Sequence, residues 1–151
     1  MSIQQDVFDQ MNKDFQAFLE KKNSKGKIEL PPKVFLDMQG EILEYERKKM
    51  LKVAFPILER YANPMGNMQG GVVAAAFDNT FGPLSFLIAC RPVTTLDMNI
   101  NYIRPIPIND RITITAKLIV RGFSTMNMSA ECYNSKDRLM ASATTNMLVL
   151  S

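Results

Sequence analysis

The chain has 151 residues, 46% apolar and 22% charged, enough for one domain with its own core. Its net charge of +3 is too small to argue for a nucleic-acid partner. It contains no histidine, which excludes Ser-His-Asp and Cys-His catalysis, histidine general bases and histidine metal sites together. Two cysteines without a spacing motif make no zinc site, so no metal is expected. With no signal-peptide pattern, they point to a reducing, cytoplasmic setting. Each long apolar run contains polar or breaking residues, so no membrane span is expected.

In chain order, Val7, Phe8, Met11, Phe15, Phe18 and Leu19 give Ile3 to Lys22 the spacing of a one-sided helix. The basic stretch Lys21 to Lys27 and the pair Pro31-Pro32 read as a linker. Residues 1–32 are therefore expected to be a helical extension whose apolar stripe packs on a main domain, residues 33–151. Val34 to Tyr45 and Lys49 to Leu58 read as two strands joined by a charged turn at Glu46 to Lys48, with Gly40 as a bulge in the first. Tyr61 to Met68 is a loop of turn formers.

Gln69 to Ala89 then runs apolar on nearly every side, as a buried helix would. Asp78 interrupts it, and a buried carboxylate is costly unless paired, protonated or working. Pro83 is expected to kink or divide the helix near Asn79, because proline removes an N–H and crowds the preceding turn. Four strands follow. Leu96, Met98, Ile100 and Tyr102 share one face of the first. Ile112, Ile114, Ala116, Leu118 and Val120 share one face of the second, with Ile119 out of step. Met126, Met128, Ala130 and Cys132 mark the third; Leu139, Ala141, Ala143, Met147 and Val149 mark the fourth. Period two with short turns predicts an antiparallel meander. The economical packing is an α+β domain, a sheet curled around the central helix, with its edges paired to a second copy.

Gly70 and Gly71 sit where the helix should begin. The first N–H groups of a helix lack internal partners, and the dipole makes that end positive, so bare backbone there can form an oxyanion hole. Two glycines can equally serve only a tight turn. Asp78 lies eight residues on, roughly 12 Å along the axis at ~1.5 Å per residue. One carbonyl cannot touch both groups of one chain, but two antiparallel helices would bring the acid of one copy to the helix start of the other. The plainer reading is a structural Asp78 bonded to Thr95 or to a backbone N–H.

Asn63-(x5)-Gln69-Gly70-Gly71-(x6)-Asp78-Asn79, followed by Val93 to Pro105 (VTTLDMNINYIRP), resembles the hotdog-fold acyl-CoA thioesterases, the phenylacetate-pathway type above all. The resemblance runs from about Phe35 to the C-terminus. It implies a hotdog fold and a catalytic set of Asp78, Gly70, Asn63, Gln69 and Thr95. Asp78 would be the nucleophile or the general base that activates water. The Gly70 N–H of the opposing subunit would polarise the thioester carbonyl. Asn63 would orient thioester or water, and Thr95 would hold the water beside the acid. Gln69 stands where the family has histidine; an amide can hydrogen-bond but cannot carry a proton charge. Substrate contact is assigned to Gly71, Asn79 and Met68, and CoA phosphate contact to Arg104, with Arg91, Lys117 and Arg121 as weaker candidates. Met65, Met98, Met126 and Met128 would suit an adaptable acyl pocket together with Met68.

The expected function is hydrolysis of an acyl-CoA thioester by a dimer or tetramer, with coenzyme A part of the substrate and no separate cofactor. The alternative is a non-catalytic acyl-CoA-binding protein, favoured by Gln69. A hydratase is argued against by the missing histidine. A DNA-binding regulator is argued against by a first segment with only one convincing helix.

Overall fold

The computed structural model describes residues 2–151. Ten segments follow one another: α1 (Ile3–Lys21), α2 (Lys33–Asp37), β1 (Glu41–Glu46), β2 (Met50–Pro56), a 3-10 turn (Glu59–Tyr61), α3 (Gly70–Ala89), β3 (Val93–Tyr102), β4 (Arg111–Arg121), β5 (Thr125–Tyr133) and β6 (Leu139–Val149). Six strands form one antiparallel sheet in the order β1-β2-β4-β5-β6-β3. The sheet wraps α3, whose Val73, Phe77, Phe81, Leu84 and Ile88 are buried against it. By length and apolarity α3 would pass for a membrane span, contrary to the expectation from its polar interruptions; here it is the core helix of the sheet. It is one continuous helix with Pro83 inside, so of the expected kink or division near Asn79 the division does not occur.

α1 starts at Ser2, whose hydroxyl accepts from the Gln5 N–H at 3.1 Å. Its stripe Val7, Phe8, Met11 and Phe15 is buried in the same apolar cluster as α3. Phe8 meets Phe35 edge-on at 5.3 Å, and Phe15 lies 6.4 Å from Phe86. The Gln4 side chain also accepts from the Ile42 N–H at 2.9 Å, satisfying part of the β1 edge.

The strand expected from Val34 begins only at Glu41. Lys33–Asp37 is a single helical turn that follows Pro32 and turns Phe35 fully into the core. Gly40 is no bulge. A Cβ there would stand 2.7 Å from the Phe35 ring, so only glycine lets the chain pass that ring into β1. The irregularity in β1 falls between Ile42 and Glu44 instead.

The meander holds for β4, β5 and β6 but not for β3, which pairs with β6 at the far edge. The 103–110 connection therefore returns past the start of α3. There Met68 donates its N–H to the Ile106 carbonyl at 2.7 Å, and Asn67 bridges to Pro107. Two bulges account for breaks in alternation. The β4–β5 register shifts between Leu118 and Val120, around the out-of-step Ile119. The β3–β6 register shifts between Thr95 and Asp97. Leu96 is consequently exposed rather than facing α3, and Thr95 faces the helix in its place. The Asp97 carboxylate accepts from the Asn146 backbone N–H at 3.2 Å, which offsets part of the disrupted ladder.

Candidate functional site

Gln69 is the residue before the first turn of α3 (φ −60°, ψ 140°), and its side chain makes no capping bond. Its carbonyl accepts from Val72 and Val73, and its N–H is tied to the Tyr61 carbonyl at 2.8 Å. The N–H groups of Gly70 and Gly71 have no acceptor among the described residues. They form the positive end of a twenty-residue helix.

A cavity of about 370 Å³ opens at this helix start. Asn63, Met68, Gly70 and Arg104 line it together, as does Tyr102, a residue the motif contained but no expectation singled out. Tyr102 donates its hydroxyl to the Gly70 carbonyl at 2.7 Å, and its ring lies 3.4 Å from where a Gly70 side chain would begin. The available signal was parity: Tyr102 shares its strand face with Ile100 and Met98, which pack against the core. The Asn63 side-chain oxygen accepts from the Met65 and Asn67 N–H groups at 2.9 and 3.1 Å. It shapes the loop, and only its NH₂ remains for a ligand. Arg104 donates to the Leu139 carbonyl at 2.9 Å, which holds it at the cavity rim. Burial raises the Tyr61 phenol above its usual range, with the Arg60 charge pulling the other way.

Asp78 is not on this cavity and, contrary to the sequence reading, it is not buried within the chain. It lies eight residues along α3 from Gly70, roughly 12 Å at ~1.5 Å per residue. The Thr95 hydroxyl donates to its carboxylate at 3.2 Å. Gly71, Ala75, Asp78 and Gly82 recur at helical spacing on one face, none of them buried, beside the largely exposed edge strand β3. Asn79 turns back on its own helix, donating to the Ala75 carbonyl at 2.9 Å and to the Met38 sulfur at 3.7 Å. Gln69 and Gly71 are exposed beside the cavity. Among the methionines of the expected pocket, Met68 lines the cavity, Met126 and Met128 are core, and Met65 is exposed at its rim. The chain thus keeps two groups apart: unpaired N–H groups with a cavity at one place, and a carboxylate with a hydroxyl at another. No cluster of potential metal ligands occurs among the described residues.

The thioesterase superfamily model matches residues 65–141, just over half of the chain and every expected site residue except Asn63. No curated protein matches the chain. Among solved structures, the E. coli PaaI protein from the phenylacetic acid degradation operon superposes with a TM-score of 0.77 at 14% identity, covering 96% of each chain. A hypothetical thioesterase of Streptococcus pneumoniae TIGR4, solved with coenzyme A, gives a TM-score of 0.69 at 26% identity, covering 74% of this chain and 89% of that one. The smu.793 protein of Streptococcus mutans UA159, bound to acetyl CoA, gives 0.71 at 20% identity, covering 84% of this chain and 96% of that one. The α+β architecture is the hotdog fold of the thioesterase superfamily.

Proposed function

The chain belongs to the thioesterase superfamily, and we propose that it hydrolyses an acyl-CoA thioester in a site shared by two copies. One observation carries the reading. The unpaired N–H groups at Gly70 and the carboxylate of Asp78 occupy one helix, too far apart to act on one carbonyl. The face that holds Asp78 is lined with small residues beside an exposed strand edge. Two such helices packed antiparallel would place each Asp78 against the other copy's helix start.

In that arrangement the thioester carbonyl oxygen accepts from the Gly70 N–H of the partner subunit. Asp78 removes a proton from water, and the resulting hydroxide attacks the carbonyl carbon. Negative charge moves onto the oxygen, where the helix start stabilises it. The C–S bond then breaks, the acyl group leaves as a carboxylic acid, and the thiolate takes up the proton. Thr95 fixes the orientation of Asp78 through its hydroxyl. Direct attack by Asp78 is the other route open to the same geometry. Coenzyme A belongs to the substrate, and no separate cofactor is invoked. The likeness to a hypothetical thioesterase solved with coenzyme A supports this thiol.

Gln69 favours a second reading, a protein that binds acyl-CoA without cleaving it, since an amide cannot exchange protons at the helix start. A panel of acyl-CoAs of different length and aromaticity, followed by thiol release alongside calorimetric binding, separates the two. Turnover on at least one ester is expected. Tight binding to the whole panel without thiol release would establish the binder, and neither binding nor release would overturn both.

A further inference from the structure

A second cavity, about 350 Å³, lies at the opposite end of α3 from the proposed site, between α1 and the β1–β2 turn. Its size falls in the ~300–1,000 Å³ range of small-molecule sites. One wall is α1, where Asp6, Gln10 and Asp14 recur every fourth residue and so share a face. The other wall is Tyr45 with Arg47 and Lys48 of the turn. Leu87 and Cys90 close the cavity at the carbonyl end of α3, which is negative. Both walls are fixed. α1 is held by its buried apolar stripe and by the Gln4 side chain on the Ile42 N–H. The turn is held at Lys48 (φ 59°), whose N–H donates to the Tyr45 hydroxyl at 3.3 Å.

Acids stand on one wall and bases on the other. Yet none of Asp6, Asp14, Arg47 and Lys48 is in an ion pair among the described residues. Asp14 is half-buried, and its carboxylate accepts from the Gln10 amide at 2.9 Å, which leaves the Gln10 oxygen free to accept in turn. The Tyr45 hydroxyl has no acceptor for its own proton among the described residues. Burial raises the Tyr45 phenol above its usual range, with the Arg47 charge lowering it and the Asp14 charge adding to the rise, so it stays a donor at neutral pH. Val7 and Leu87 are buried, and Ile3 keeps 40% of its surface exposed beside them. A molecule with a single charge would satisfy one wall and leave the other unmatched. A zwitterion with an apolar side chain complements both walls and the apolar patch between them. We infer that this cavity binds a free α-amino acid with an apolar side chain. Its ammonium would lie on Asp14 and Gln10, its carboxylate on Arg47 and the Tyr45 hydroxyl, and its side chain on Val7, Leu87 and Ile3. The site is independent of the acyl-CoA reading and stands or falls without it.

The test titrates the full chain with leucine, methionine and phenylalanine by calorimetry. At least one should bind with a Kd below about 1 mM. Isocaproate and isoamylamine, which are leucine without its ammonium and without its carboxylate, should each bind at least tenfold more weakly than leucine. Asp14→Asn and Arg47→Ala should each weaken amino-acid binding at least tenfold, and Arg47→Lys should recover part of the loss. Neither side chain is buried, so circular dichroism should not change. Cys90 gives a second readout. It lines the cavity and is half-buried, whereas Cys132 is fully buried, so a thiol reagent reports on Cys90 alone. A saturating amino acid should slow the labelling of Cys90 several-fold. Absence of binding by all three amino acids would overturn the inference. So would either single-charge analogue binding as tightly as leucine, or full affinity in both variants. Unchanged labelling of Cys90 at saturation would also overturn it, because the ligand would then lie elsewhere.

Discussion

Thr95 donates its hydroxyl to Asp78 at 3.2 Å because the strand carrying it is bulged at Leu96. In an unbroken β3, Thr95 would share a face with Asp97 and point away from α3. The bulge reverses its direction without moving the strand from its place beside β6, and bulges next to functional sites commonly re-aim side chains in this way. The contact defines the acid's rotamer, and it does so on the exposed face of the helix.

Asp78→Asn should therefore keep the fold. The side chain is exposed in the chain, and Thr95 can donate to the amide oxygen as it does to the carboxylate. Thioester turnover should fall by ~10²–10⁴, the usual contribution of a positioned general base. Thr95→Val removes only the orienting bond and should cost much less. The check is kcat for both variants beside their thermal midpoints. Full activity in Asp78→Asn would make the residue structural.

Tyr102→Phe tests the helix start. The hydroxyl lost is the one on the Gly70 carbonyl at 2.7 Å. A net contribution of about 1 kcal/mol is typical for such a bond. Stability should drop by no more than that, while kcat falls several-fold because the first turn of α3 is less firmly held. Denaturant unfolding and steady-state kinetics on the same preparation separate the two effects. A large stability loss with unchanged kcat would restrict Tyr102 to packing.

Gly82→Leu addresses self-association. A Cβ at this position would meet nothing within 4 Å in the single chain. Glycine inside a helix costs roughly 1 kcal/mol relative to alanine, so a lone chain should tolerate or welcome the replacement. On a face packed against a second helix, the added bulk should drive copies apart. We expect sedimentation to show a shift toward monomer, with loss of turnover and little change in circular dichroism. An unaltered, fully active assembly would place the partner elsewhere.

Cys132 supplies a pH dependence. Burial raises its thiol from the ordinary 9.0 to about 12. Below pH ~9 folded and unfolded chains both hold the proton. As pH rises between those values only the unfolded chain releases it, so stability falls, at up to ~1.4 kcal/mol per pH unit, until the folded thiol ionises too. The stability difference between wild type and Cys132→Ala should shift against the wild type by about 1 kcal/mol between pH ~8 and pH ~10. Denaturant titrations at the two pH values measure it. Labelling of Cys132 by a thiol reagent at neutral pH without unfolding would contradict the burial.

The amino-acid sequence by itself determined the elements that depend on nearest neighbours along the chain. Alternation in β4, β5 and β6, the apolar stripe of α1 and the all-round apolarity of α3 are local patterns, and each element forms where its pattern lies. The spacing of Gly70, Gly71 and Asp78 was legible for the same reason, because separation along a helix is fixed by its rise. Tertiary structure decided what depends on distant partners. β3 pairs with β6 rather than β4, and that crossing carries Arg104 and Ile106 back to the start of α3. The bulge at Leu96 turns Thr95 toward Asp78 on α3, although nothing in the alternation of residues 95–102 signals it. Phe35 closes the core from a helical turn where a strand was expected, and Gly40 yields to its ring. Asp78 was read as buried from the apolarity of its helix. It is exposed because the sheet ends at the β3 edge and the small-residue face of α3 is left uncovered in the single chain. A hydrophobic pattern specifies which residues avoid water, but not which surface of the fold, or of a second copy, takes its place.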